Sequence, residues 1–209
     1  MNGAELLFDV ARRHLHALDG IALDPLSELR YLAGRTYVDG LSAFFRTVKT
    51  KKTPQKAARD LADAFAKAVS AALPGAITPG TRNFVSALAA RGVKVILLTR
   101  ASPEDAASAL APLIGENVSA FQETSVCYGF PRWDSWRRAC QANGLTRLST
   151  VAVTGSGFGV RSAMMAGMAS MAVLKERTAY QDFTGACDVV KDLSVSSARR
   201  LLSRIFRQQ

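Results

Sequence analysis

Cysteine and histidine are scarce in this chain, and their placement argues against a metal site built from them. The 209 residues include three cysteines and two histidines. Cys127, Cys140 and Cys187 lie far apart, without the paired spacing of a zinc site. His14 and His16 would project from different sides of a helix, so they do not form a ligand pair. We therefore expect no metal ion held by these residues.

Long uninterrupted apolar runs are also missing. Only residues 151–174 are long and weakly charged enough to suggest a membrane span, and glycines, serines and an arginine interrupt them. The N-terminus lacks the basic start and apolar block of a secretory signal. Apolar residues make up 48% of the chain and charged residues 21%, which predicts a folded globular protein. We expect no membrane association and a cytoplasmic location.

The chain carries a formal net charge of +10, which would attract polyanions without base-specific contacts. Lysines cluster within residues 49–56 and arginines within residues 199–207. Neither cluster is interleaved with the aromatic side chains that stack on exposed bases. We interpret both as solvated helix faces, and nucleic-acid binding is not the expected role.

Residues 1–78 have helical periodicity throughout. Five residues fall on one face of a first helix that Gly20 would end, and they are Leu6, Leu7, Val10, His14 and Leu18. Further helices are predicted over residues 26–32, 38–48 and 54–73, the last with Thr53 as its cap. Two clusters with proline and glycine, at 73–75 and 78–80, predict turns that end this helical unit.

Residues 79–209 alternate between helical patterns and short apolar runs. The runs predict strands at residues 93–98, 118–121, 151–153, 171–174 and 189–190. Helices are predicted between them, and a last amphipathic helix follows at the C-terminus. Alternation of this kind predicts an α/β fold with a parallel sheet and right-handed crossovers.

Several segments, in order, resemble the haloacid dehalogenase superfamily, in its phosphoglycolate-phosphatase and β-phosphoglucomutase-like branch. Pro79-Gly80 and the run ending at Thr99 resemble its turn, helix and strand with a phosphate-binding hydroxyl. Residues 131–145 resemble the helix after its catalytic lysine, and residues 151–168 resemble its metal-binding strand, loop and helix. Residues 20–35 resemble its cap helices, and residues 187–193 resemble its last strand. The resemblance implies a parallel sheet flanked by helices, with the N-terminal helices as a cap.

The resemblance also implies phosphoryl-transfer chemistry. That chemistry uses a nucleophilic aspartate, a second aspartate as acid and base, a hydroxyl and a lysine for the phosphoryl oxygens, and acidic ligands for Mg²⁺. Metal and cations neutralise the transferred oxygens, so loss of the metal ligands should be more damaging than loss of one pocket side chain.

Most positions that the resemblance assigns to catalysis hold other residues. Phe130 stands at the lysine position, and Thr154 and Gly155 stand where acidic residues are expected. Mg²⁺ would be held poorly or not at all, so we predict no metal or other cofactor unless hydrolase activity remains. A remnant of the phosphate site is predicted at Thr99, Arg100, Ser156 and Gly157. An alternative for Thr99 and Ser156 is that they satisfy backbone groups at strand ends.

Asp9 is a nucleophile only under one interpretation of residues 4–9. If these residues form a strand, Asp9 ends it and Ala11 replaces the acid/base aspartate. The helical period through His14 favours a cap helix instead, in which case the first core strand is absent from the chain. Neither interpretation supplies both carboxylates.

Three functions follow from these observations. The first is a non-catalytic binding or interaction protein with lost phosphatase activity. The second is a phosphatase acting on a small phosphorylated metabolite, with a site assembled from carboxylates such as Asp9, Glu123, Asp134 or Asp188. The third is nucleotide binding by the glycine-rich loop 155–159, with Glu176 near the position of a ribose-binding acid.

An absent first strand would leave an unpaired position in the sheet. A partner or a second copy could fill it by strand addition, so we expect a protein partner or a homo-oligomer. Trp133 and Trp136, with the arginines around them, are a second candidate for a partner-facing patch.

Overall fold

The computed structural model describes residues 3–113, 117–124 and 131–205. Its longer helices are α1 (Gly3–Asp19), α3 (Tyr37–Phe45), α4 (Pro54–Ala76), α5 (Pro79–Ala89), α6 (Pro103–Leu110), α7 (Trp133–Ala142), α8 (Gly157–Met165) and α9 (Val195–Ile205). The short α2 (Pro25–Ser27) continues into a π-helical turn over Glu28–Leu32. The strands are β1 (Val95–Thr99), β2 (Val118–Gln122), β3 (Val151–Thr154), β4 (Ala169–Val173) and β5 (Asp188–Val190). The predicted α/β class is confirmed, with an N-terminal helical region.

Helix α1 decides between the two interpretations of residues 4–9. It begins at Gly3 and runs without interruption to Asp19, and Gly20 then turns the chain with φ of +64°. Leu7 and Leu15 are buried, whereas the Asp9 side chain is exposed. The helix prediction is confirmed. The strand alternative is wrong, because Asp9 lies on the solvent side of a helix.

Helix α4 extends further than predicted. A turn was expected at residues 73–75, but the helix continues through Pro74 to Ala76. Because Pro74 lies in the last turn, its missing N–H removes one backbone bond near the end, while Leu73 stays buried in the core. Thr53 is the N-cap residue of the helix, as predicted, although its side chain forms no capping hydrogen bond.

The strands form two separate parallel sheets in the part of the chain that the structure describes. β1 pairs with β2, and β3, β4 and β5 form a second sheet in that order. All five predicted strands are confirmed, each shifted by one or two residues at an end. β4 has a partner on both sides, and its last four residues are fully buried.

Helices cover both faces of the strands. One apolar core lies between α5, α9 and the strands, and a second lies between α7, α8 and β3. A third core fills the helical region and also includes Ala101, Ala106 and Ala109, which belong to or adjoin α6. The helical region therefore shares its core with the segment after β1. No helix among the described residues is long and apolar enough to span a membrane.

Candidate functional site

The carboxyl ends of β1 and β3, which we call the carboxyl edge, carry the residues predicted to bind phosphate. Both ends face the helical region. Arg100, directly after β1, lies over the rings of Tyr37 and Phe65, with its guanidinium carbon 5.5 and 5.8 Å from their centroids. Phe158, just after β3, lies directly against Gly34 and leaves no room for a Cβ there. Ligands of parallel α/β sheets commonly bind at this edge, so its geometry decides what the chain can do there.

Both the hydroxyl and the carbonyl oxygen of Thr99 accept hydrogen bonds from backbone amides. Its hydroxyl oxygen accepts a hydrogen bond from the Ala101 N–H at 3.1 Å, and its carbonyl accepts one from the Glu123 N–H at 2.6 Å. The side chain is 8% exposed. This arrangement agrees with the alternative in which Thr99 stabilises the turn after its strand.

The junction between β3 and α8 is also satisfied internally. Ser156 caps the helix, because its hydroxyl oxygen accepts the Gly159 N–H at 3.0 Å. The Gly157 N–H donates to the side-chain Oε1 of Gln181 at 2.8 Å. The backbone carbonyl of Asp182 lies directly against Gly157, with no space for a Cβ. The helix N-terminus is thus occupied by protein atoms, where an anion or a pyrophosphate would have to approach.

The segment that covers this junction is held at several points. The Thr178 hydroxyl is buried and donates to the Gly155 carbonyl at 2.7 Å. Asp182 accepts a hydrogen bond from the Thr184 N–H at 2.8 Å. Hydrogen bonds from Thr184, together with the nearby Arg161 charge, lower the pKa of the Asp182 carboxyl. We call residues 175–184 the covering loop.

Contacts with the helical region hold the same loop from the other side. Arg177 forms an ion pair with Glu28 at 3.0 Å, and its guanidinium carbon lies 3.8 Å from the centroid of the Phe8 ring. Arg161 lies over the Phe158 ring at 4.8 Å. The carboxyl edge of β3 therefore lies between the covering loop and the helical region.

The carboxylates that a hydrolase would need do not assemble there. Glu123 is buried and lies 3.5 Å from Arg138, which is also 3.8 Å from Asp134. Asp188 pairs instead with Arg200, and Asp9 is exposed on α1. No group of three or more histidine, cysteine, aspartate or glutamate residues that could hold a metal ion occurs in the described ranges. Phe130, Cys127 and Arg207, which entered the sequence predictions, lie outside those ranges.

A second feature lies between the two sheets. A cavity of about 720 Å³ separates β1 from β3, and both strands line it. Its other walls come from α5, α7 and α9. We call it the interstrand cavity. Sequence reasoning predicted an unpaired position in the sheet, but gave no sign that Gln181 and Asp182 would cover α8, because these contacts join residues more than twenty positions apart.

Comparison with known proteins decides the family. A model of the haloacid dehalogenase-like hydrolase family matches residues 4–167. The chain belongs to that family. The resemblance inferred from the sequence motifs is thereby confirmed. No curated protein matches the chain.

Solved structures share the fold at low sequence identity. CbbY from Rhodobacter sphaeroides, in complex with phosphate, is 18% identical with a TM-score of 0.68, covering 92% of this chain and 89% of its own. β-Phosphoglucomutase from Clostridium difficile is 13% identical with a TM-score of 0.68, covering 99% and 92%. A hydrolase from Pseudomonas syringae is 16% identical with a TM-score of 0.65, covering 96% and 92%. These similarities establish the fold alone.

Proposed function

We propose that this chain is a non-catalytic member of the haloacid dehalogenase-like hydrolase family and acts by binding another molecule. The observation that carries the proposal is the closed carboxyl edge. Gln181 and Asp182 occupy the start of α8, and the adjacent positions 154 and 155 hold a threonine and a glycine. A family fold is thus combined with a strand end that carries no acidic residue at positions 154 and 155, and with a helix start whose Gly157 and Gly159 amides are already bonded to protein atoms.

Phosphoryl transfer depends on charge at this point of the fold. Metal ions and cations neutralise the transferred oxygens, and a carboxylate or an activated water attacks. Thr154 and Gly155 supply no carboxylate to hold Mg²⁺, which prefers oxygen ligands of that kind. Glu123, a buried acid directly after β2, is already beside Arg138. We expect no turnover of phosphate esters.

A hydrolase acting on a small phosphorylated metabolite is the second candidate, because family membership favours it. A CbbY variant was crystallised with xylulose-(1,5)-bisphosphate, so that compound and simpler sugar phosphates are suitable probes. For binding at Thr99, Arg100, Ser156 and Gly157, the ligand would have to displace the Gln181 side chain. The nucleotide alternative would meet the same obstacle at Gly157.

Turnover of an aryl phosphate and a sugar-phosphate panel with Mg²⁺ tests the proposal. Wild type, Asp9→Asn and Glu123→Gln should show no activity above a blank from a mock purification. Asp9→Asn is expected to behave as wild type, since Asp9 is exposed on α1. Wild-type turnover above the blank would contradict the proposal, and its loss in either variant would identify the acid that supports it. Activity equal in all preparations and in the blank would identify a contaminant and leave the prediction of no turnover standing.

The proposal includes a protein partner or a second copy of the chain as the bound molecule, and a cytoplasmic location. Support for a macromolecular rather than a small ligand comes from the interstrand cavity. It is apolar and bounded by strand edges, which suits a peptide better than a phosphate.

A further inference from the structure

A strongly basic surface lies in the helical region, where the chain connects α3 to α4. Residues 40–59 contain six lysines and arginines and no aspartate or glutamate. Five of these cations are exposed within residues 46–56, and we call them the basic surface: Arg46, Lys49, Lys51, Lys52 and Lys56. Among the five, only Lys56 lies on a helix. The interpretation of this lysine cluster as a helix face is therefore wrong for most of it.

Hydrogen bonds fix the connection that carries these cations. The Thr50 hydroxyl donates to the Asp19 carboxylate at 2.8 Å and accepts the Lys52 N–H at 3.1 Å. The Thr47 hydroxyl donates to a carbonyl in the last turn of α3 at 2.7 Å, and Val48 packs against the core of the helical region. Because the backbone is already held at these points, little of its conformational entropy is lost when a partner binds.

The five cations are not neutralised by carboxylates of the described chain. None of them forms an ion pair within the described residues. Asp19 reaches the same connection, but its carboxylate accepts a hydrogen bond from the uncharged Thr50 hydroxyl. Lys52 and Lys56 lie at the amino end of α4, where the helix dipole makes a cation unfavourable. Each cation also repels its neighbours, and a bound acidic group would relieve that repulsion.

The second basic cluster, on α9, carries less unpaired charge. Arg200 forms an ion pair with Asp188, and a further acid, Asp192, lies between β5 and α9. Arg199 and Arg204 are exposed. Positive charge is therefore more concentrated on the basic surface, and α9 offers a control region of the same sign.

The side chains between the cations indicate which class of polyanion fits. No aromatic or large apolar side chain is exposed within residues 46–56. Single-stranded nucleic acids stack on aromatic side chains, and membrane-surface segments add an apolar face to their cations. Four of the five cations are lysines, which lack the planar fork with which arginine binds phosphates in pairs of hydrogen bonds. These features favour carboxylates on a protein.

We propose that the basic surface binds an acidic, extended segment of a partner protein. Thr50 points inward between Lys49 and Lys51, so these two lysines share one side of a non-helical chain. Acidic residues at alternate positions of an extended segment have the same period and would meet them. Lys52 and Lys56 would meet acidic residues further along. The inference rests on the proposed binding function and names the chemistry of the partner.

Two synthetic peptides with an N-terminal fluorescein test the inference. The first, ESESEESE, carries alternate and adjacent glutamates, and the second, QSQSQQSQ, replaces each glutamate by glutamine. We expect fluorescence anisotropy to show binding of the first and no binding of the second up to about 1 mM. Raising NaCl from about 50 to about 300 mM should weaken binding of the first at least about fivefold, because salt screens exposed charges.

Protein variants locate the site. The test variant removes three charges of the basic surface, by Lys49→Gln, Lys51→Gln and Lys52→Gln. It should bind ESESEESE at least about tenfold more weakly than wild type, equivalent to about 1.4 kcal/mol. The matched control removes three exposed charges near and on α9, by Lys191→Gln, Arg199→Gln and Arg204→Gln. It should change binding less than about twofold, and circular dichroism establishes that both variants are folded.

Specific outcomes would overturn the inference. They are no binding of ESESEESE up to about 1 mM, equal binding of both peptides, or equal weakening in the two variants, which would show that only net charge matters. A DNA duplex of about twelve base pairs and vesicles of phosphatidylcholine and phosphatidylserine are the competing probes. Tighter binding of either probe than of the peptide, weakened tenfold in the test variant alone, would replace the protein partner by nucleic acid or membrane.

The result is separable from the proposed function. Absent turnover together with no peptide binding refutes the basic surface alone. Turnover refutes the absence of catalysis, whatever the peptides do.

Discussion

The carboxyl edge and the interstrand cavity are arranged in the reverse of what a phosphatase needs, which is an open polar site next to a packed sheet. At the carboxyl edge, where the sequence predicted a remnant phosphate site, Gln181 and Asp182 satisfy and cover the start of α8. Between β1 and β3, where a parallel sheet is normally continuous, a cavity of about 720 Å³ remains. The polar site is closed and the apolar centre is open.

The largest expected effect contrasts β4 with β1. Met171 is fully buried in a strand paired on both sides, so Met171→Ala should lower the free energy of unfolding by about 2–5 kcal/mol. Ile96 is partly exposed to the cavity, and Ile96→Ala should cost about 1 kcal/mol. Urea denaturation measures both. Equal losses would show that β1 is packed as tightly as β4, against our account of the cavity.

The next effect concerns closure of the carboxyl edge. A methyl group at position 157 would collide with the Asp182 carbonyl, so Gly157→Ala should destabilise the protein by about 1–3 kcal/mol. At Gly155 a Cβ would lie 3.7 Å from the Val173 carbonyl oxygen, an ordinary van der Waals distance, so Gly155→Ala serves as the control and should change stability little. If both substitutions are tolerated equally, the covering loop does not lie against α8.

Gln181→Ala removes the acceptor of the Gly157 N–H. Leaving that amide without its protein partner should cost about 1 kcal/mol, measured by thermal or urea unfolding. Gln141→Ala on the exposed face of α7 provides the comparison and should be near neutral. If the closed edge masks an anion site, inorganic phosphate should stabilise Gln181→Ala more than wild type. Equal stabilisation of wild type and Gln181→Ala would show that no anion site is masked there.

The smallest effect is a pH dependence in the helical region that packs over the carboxyl edge. Burial lowers the pKa of His14, and Asp60 opposes this in part. The unfolded chain therefore takes up a proton below pH 6.5 that the folded chain resists, so stability should fall as the pH drops below that value. One group can change the stability by at most about 1.4 kcal/mol per pH unit.

His14→Gln tests this dependence, with His16→Gln as its control on the exposed side of the same helix. Urea unfolding at pH 7.5 and 5.5 should show a smaller acid loss in His14→Gln than in wild type. An unchanged loss in His14→Gln, or one reduced equally in His16→Gln, would assign the dependence to other groups.

Local sequence patterns predicted most of the helices and strands. The apolar period from Leu6 to Leu18 and the stop at Gly20 identified α1, and with it the absence of a strand at residues 4–9. Short apolar runs located all five strands, because strands buried between helices contain few polar residues. Pro74 was misinterpreted as a turn, because a proline in the last turn of a helix costs little when Leu73 remains buried.

The candidate site was only partly accessible from the sequence. Substituted motif positions such as Thr154 and Gly155 are visible in one strand and its loop, so the expected loss of acidic ligands could be stated. The contacts of the covering loop could not be predicted, because Gln181 bonds to Gly157 across 24 positions of the sequence and Arg177 bonds to Glu28 across 149. Such contacts follow from the topology, and no local pattern encodes them.

Amide hydrogen exchange of the free protein tests the central contrast most directly. N–H groups of a strand in a parallel sheet point alternately to its two neighbours, so those of β1 and β3 that point away from β2 and β4 face the cavity. We predict fast exchange at these amides and slow exchange at Gly157 and Gly159, whose amides are bonded to Gln181 and Ser156. Strand amides as protected as those of β4, together with fast exchange at Gly157, would contradict the account.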